Sequence, residues 1–128
     1  MSKKKKSHLR KVEDPRENIV AYKSHLNIEI SMDENRIPIK IRLDAPDEGL
    51  NNRLTPAIFL SMWDDEAPIT LMVDTWVKKM PLESMRLFVH QTLDILGDTY
   101  RRATGDEEMG EAIEKFSEYF AYKLNLYK

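Results

Sequence analysis

The chain has 128 residues, of which 41% are hydrophobic; 20 Lys and Arg stand against 22 Asp and Glu, giving a formal net charge of −2. That suffices for one hydrophobic core and excludes a wholly disordered chain. The lack of cysteine excludes disulfides, thiolate metal sites and cysteine nucleophiles, and no stretch approaches the roughly 20 apolar residues of a membrane-spanning helix.

The charge is unevenly spread. Residues 1–16 carry Lys3, Lys4, Lys5, Lys6, Arg10, Lys11 and Arg16 against Glu13 and Asp14. Leu9 and Val12 stand alone among these charges, so no apolar signal stretch follows the basic start, and a cytoplasmic location is expected. Low apolar content predicts a disordered basic tail over residues 1–22 and a single α+β domain over 23–128. A basic arm on an acidic body could meet nucleic acid or an anionic membrane. The arm has no aromatic side chain to stack on a base, and the body would repel phosphate; nucleic-acid binding is not expected, and a solvated tail is.

From residue 26, Leu26, Ile28, Ile30 and Met32 alternate with polar residues, the period of a strand with one buried face. Asp33, Glu34 and Asn35 predict a turn. Ile37, Ile39, Ile41 and Leu43 then alternate with Arg36, Pro38, Lys40 and Arg42, completing a β-hairpin. Pro38 has no N–H for a ladder, which favours an edge strand. Residues 44–56 hold two prolines, a glycine and two asparagines and read as a loop. Strands over 57–63 and 69–77 follow, joined by the acidic turn Asp64, Asp65, Glu66. Their faces differ in composition: Ile58, Leu60, Met62, Ile69, Leu71, Val73 and Val77 on one, Phe59, Ser61, Trp63, Thr70, Met72, Asp74 and Trp76 on the other.

Pro81 suits a first helical position and Glu83 the positive end of the helix dipole. Met85, Phe88, Val89, Thr92, Leu96, Thr99 and Ala103 follow the spacing of a buried stripe. Gly105 then reads as the left-handed stop and Asp106 as the cap of a second helix, which buries Met109, Ala112, Ile113, Phe116, Phe120 and Leu124. The predicted fold is α+β, in the order ββββαα: a four-stranded antiparallel sheet with a C-terminal helical hairpin packed on one face. A glycine inside a helix costs about 1 kcal/mol relative to alanine, so Gly97 predicts a close approach by the second helix or the sheet.

Several matches in order point to one family. They include Leu60, Ser61, Trp63 and Asp64; Val73, Asp74 and Trp76; Met80, Pro81 and Glu83; and Phe88 with His90, Gln91, Thr92 and Leu93. Further matches are Asp98, Thr99, the run from Arg101 to Glu107, and Tyr119, Phe120, Ala121, Lys123 and Leu124. Across residues 26–124 the chain resembles the gliding motility protein GldC family, with the first hairpin matching in pattern more than in identity. The resemblance implies a cytoplasmic protein associated with surface gliding and its secretion machinery, and it brings no catalytic residue. Nothing in it extends to residues 1–22.

Candidate chemistry is sparse. His90 and Asp94, four apart, could offer two metal ligands, but two do not make a site and Arg86 and Arg101 on the same side would repel a cation; a surface charge pair or local hydrogen bond is expected. The acidic turn lacks the spaced ligands and glycine of a calcium loop. No serine lies in Gly-x-Ser-x-Gly, and the four glycines form no phosphate-cradling loop. No enzyme activity, metal or cofactor is therefore expected. What stands out is the side of the last two strands that helices on the other face would leave bare. There Phe59, Trp63, Met72 and Trp76 form an apolar patch, read as a homo-oligomer or partner surface unless residues 44–56 or a helix fold over it. The expected function is a non-catalytic accessory protein that works through protein contacts; the alternative is a chaperone-like binder of unfolded or export-bound polypeptides.

Overall fold

The computed structural model describes residues 18–127. Of the basic tail expected over residues 1–22, residues 1–17 lie outside the described residues, while residues 18–22 are exposed. The described residues divide into two compact units, with the boundary between Lys78 and Lys79.

Among the described residues the first unit contains five strands: β1 (Asn27–Met32), β2 (Pro38–Ala45), β3 (Leu50–Leu54), β4 (Ala57–Asp64) and β5 (Ile69–Trp76). They form two antiparallel sheets, β1-β2-β3 and β4-β5, which corrects the expectation of one four-stranded sheet. The alternation of the first hairpin has the expected consequence only at its centre, since Leu26, Met32, Ile37 and Ile39 are exposed. Ile28 and Ile30 lie opposite Leu43 and Ile41, and Ile41 is buried. On the other face Glu29 pairs with Arg42 at 2.9 Å. Asp33 builds the turn by accepting hydrogen bonds from the Asn35 and Ile37 N–H groups, while Arg36 takes a left-handed conformation at φ 63°.

Pro38 does not mark an edge, because β2 is the central strand. The proline is tolerated there because it is the first residue of the strand, and β3 pairs only farther along, with Arg42, Leu43 and Ala45. The stretch over 44–56 is also more ordered than a loop. Pro46–Glu48 form a single 3-10 turn closed by Gly49, whose φ of 75° lets its N–H reach the Pro46 carbonyl. β3 follows, and the Asn52 N–H donates to the Asp44 carboxylate at 3.2 Å. Its sequence, LNNRL, has no alternation to announce it, because four of its five residues are exposed.

Backbone bonds connect the segments beyond the ladders. The Thr55 N–H donates to the Ile41 carbonyl, Val77 to Pro56 and Lys78 to Pro38, all within 2.8–3.0 Å. The Lys78 ammonium also reaches the Asp33 carboxylate at 2.8 Å. Asp33 therefore holds both its own turn and the strand end that leaves β5.

The second unit is a helical hairpin, α1 (Leu82–Thr104) and α2 (Glu107–Lys123). Pro81 is the residue before α1 rather than its first, and its carbonyl accepts from the Met85 N–H. Gly105 takes the left-handed position at φ 77°, and the Asp106 side chain caps α2 by accepting from the Met109 N–H at 3.0 Å, both as the sequence predicts.

The helices meet at the mid-helix glycine that the sequence singles out and at residues that it does not. Gly97 and Gly110 are buried, and a Cβ on Gly97 would come within 3.0 Å of the Gly110 carbonyl and 2.8 Å of Glu114 Cγ. The close approach by the second helix is thus the reason for Gly97. Arg101 spans the same junction, with ion pairs to Glu114, Glu107 and Asp98. The predicted stripe is instead exposed at Leu96, Thr99 and Ala103 on α1 and at Met109, Ala112 and Phe116 on α2.

Candidate interaction surface

The β4-β5 register decides which side chains share a face, since residues paired across antiparallel strands project on the same side. Ala57 pairs with Trp76, Phe59 with Asp74, Ser61 with Met72 and Trp63 with Thr70. Phe59, Trp63, Met72 and Trp76 therefore share one face, as alternation requires. They form a strip rather than a cluster. Trp63 lies beside the turn and Trp76 at the far end, about 20 Å apart at roughly 3.4 Å per residue, with Met72 and Phe59 between them and Asp74 opposite Phe59.

The strip is open. Trp63 is 63% exposed, Trp76 50% and Met72 49%, whereas Phe59 is half-buried. Residues 44–56 do not cover it, because they are spent on the 3-10 turn and on pairing β3 to β2. The Trp63 indole N–H reaches the Asp65 carboxylate at 3.4 Å, and Asp64 accepts from the Glu66 and Ala67 N–H groups. The acidic turn thus uses part of its oxygen set on its own backbone and on one indole.

The opposite face is exposed towards the turn, while Ile58, Leu60 and Val77 on it are half-buried. Met62, Ile69, Leu71 and Val73 each show more than two-fifths of their surface. Their sequence pattern points to a covered core, because they are the more apolar set.

His90 is placed differently from the expectation of a surface pair with Asp94. The side of α1 that carries it faces α2. Its Nδ1 lies 3.1 Å from the Ser117 carbonyl and 2.9 Å from Ser117 Oγ, which is 3.0 Å from the His90 carbonyl. A carbonyl only accepts, so Nδ1 carries the hydrogen and the Ser117 hydroxyl donates to the His90 carbonyl. Tyr127 meets the imidazole edge-on, with ring centroids 5.3 Å apart. Ser117 is fully buried, which closes this Ser–His pair to any substrate. The sequence signal for it is a serine at a helix-facing position, which spacing alone does not separate from a surface serine.

Among the described residues, no group of three or more His, Asp or Glu side chains is placed to hold a metal ion. No helix among them is long and apolar enough to cross a membrane.

A family model described as "Gliding motility-associated protein GldC-like" matches residues 38–126. No curated protein and no solved structure matches the chain significantly.

Proposed function

The chain belongs to the GldC-like family of gliding motility-associated proteins, and on that premise we propose that it is a non-catalytic accessory protein that docks a protein partner through the β4-β5 hairpin. The reading rests on one observation: the strip of Phe59, Trp63, Met72 and Trp76, with both indoles at least half exposed. Exposed tryptophans of this kind are favoured at the centres of protein interfaces, where burial of a large rigid ring gives much contact area for little lost rotamer freedom.

Affinity capture with the full chain and with Trp76→Ala tests it. The wild type should retain one stoichiometric partner, or a second copy of itself, and the variant should lose it by at least tenfold while keeping its far-UV spectrum. Retention of the same partner by the variant would refute docking through this face. The rival chaperone-like reading draws on the exposed Met62 and Leu71 behind the strip, since adaptable apolar side chains suit many clients. Broad capture of denatured proteins, with no stoichiometric partner, would favour it.

A further inference from the structure

The hairpin that presents the indoles is electrically one-sided. Residues 55–77 contain Asp64, Asp65, Glu66 and Asp74 and not one Lys or Arg. Asp74 lies on the same face as Trp63 and Trp76, and the other three carboxylates belong to the turn at the Trp63 end. An apolar strip with anionic groups within and beside it, and two indole faces open, suits an occupant that is cationic and extended. Ammonium and guanidinium groups are attracted to indole faces as well as to carboxylates.

The same polypeptide supplies such an occupant. Lys3, Lys4, Lys5, Lys6, Arg10 and Lys11 lie upstream of β1, which begins at Asn27. The 15 residues between Lys11 and Asn27 reach roughly 50 Å when extended, at about 3.3 Å each, which exceeds the length of the strip. Tethering on this scale keeps the effective concentration of the arm in the mM range, so even weak affinity fills the site. We propose that the chain's own N-terminal basic segment, residues 3–11, occupies the Trp63/Trp76 face of the β4-β5 hairpin in cis and is displaced when the partner docks. The proposal rests on the docking reading of that face and adds its regulation: an arm that shields the apolar strip until a partner competes for it.

The test exploits the fact that the chain has only two tryptophans, both on this face, and none in the arm. Acrylamide quenching of tryptophan emission is compared between the full chain and a variant carrying Lys3→Gln, Lys4→Gln, Lys5→Gln and Lys6→Gln. At low salt the wild type should be quenched about twofold less than the variant. Asp74→Asn should lose part of this protection, and salt near 0.5 M should remove it, because the Debye length falls to about 4 Å. Equal quenching of wild type and lysine variant at low salt overturns occupancy by the arm. Protection that disappears on dilution overturns occupancy in cis and assigns the arm to a second copy. Failure of the docking reading is separate: it shows as undiminished partner capture by Trp76→Ala. The regulatory element has its own readout, since the lysine variant should capture the partner more readily than the wild type; weaker capture would overturn displacement.

Discussion

The two C-terminal hairpins of this protein solve the same problem in opposite ways. The helical pair α1-α2 closes on itself: two glycines allow contact, a buried serine and a histidine exchange hydrogen bonds, and an arginine is clamped by three acids. The strand pair β4-β5 satisfies its backbone ladder but leaves large apolar side chains open on both faces. A two-stranded sheet is at best marginally stable alone in water. Here the backbone bonds from Lys78 to Pro38 and from Thr55 to Ile41 anchor its base to the first sheet. The difference teaches that the helices are specified by contacts already made, and the strands by contacts still available. Substitutions in the helices should therefore change stability, and substitutions on the indole strip should change association.

The largest effect is expected at Gly97. A leucine there must displace the Gly110 carbonyl and the Glu114 side chain, both within 3.0 Å of the place its Cβ would take. Overpacking of this kind costs about 3 kcal/mol, against which the gain in helix propensity of roughly 0.8 kcal/mol is small. Urea unfolding of Gly97→Leu should give an unfolding free energy lowered by about 2 kcal/mol, the difference of these two, whereas Trp76→Ala should stay within about 1 kcal/mol of wild type. Equal losses in both would erase the distinction between the two hairpins.

His90→Ala comes next. Removing the imidazole deprives the buried Ser117 of its Nδ1–H donor, while the serine hydroxyl keeps the His90 carbonyl as its acceptor. The cost of a buried acceptor left unpaired, together with the lost ring contact to Tyr127, is about 1–3 kcal/mol. Urea unfolding reads this directly, and Asp94→Ala serves as the comparison. If Asp94→Ala costs as much as His90→Ala, the histidine is acting through the surface pair and not through Ser117.

How much of this is legible in the sequence differs between the hairpins for physical reasons. In β4-β5 the faces follow from alternation alone, because a period of two leaves no freedom once the strands pair. The strip of Phe59, Trp63, Met72 and Trp76 is therefore readable from residues 57–76. In α1-α2 the caps at Gly105 and Asp106 are readable because each needs a particular side chain or φ. The helix contact is readable only at Gly97, whose place inside a helix predicts a close approach. Apolar spacing points to Met85, Phe88 and Val89, whereas the helices join through Gly97, Gly110, His90 and Ser117, residues that a hydrophobicity pattern scores as neutral or polar. β3 is hidden for a related reason: an exposed edge strand with Asn51, Asn52 and Arg53 has no buried face to impose alternation. The second sheet follows from that, since β3 takes the place beside β2 that a single four-stranded sheet would give to β4.

The smallest effect is expected where the base of β4-β5 is tied to the first hairpin. The Lys78 ammonium and then the Ile37 N–H hold the Asp33 carboxyl below the usual carboxylate range; desolvation opposes them, and the Asn35 N–H adds a smaller push in the same direction as the first two. A carboxylate whose folded-state value is depressed adds stability that is present above the unfolded-state value and is lost as pH falls through the folded one. Asp33→Asn keeps an oxygen for the two turn N–H groups and removes only the charge that Lys78 meets. The wild type should therefore be the more stable protein at neutral pH, by a margin that shrinks to nothing as the acid is protonated and that is also reduced by salt, because the pair is exposed. Urea midpoints of both proteins from neutral to acid pH check this. A margin that is constant across that range would mean that the turn is held by its backbone bonds alone, and that the strand hairpin stays anchored without its ionic tie.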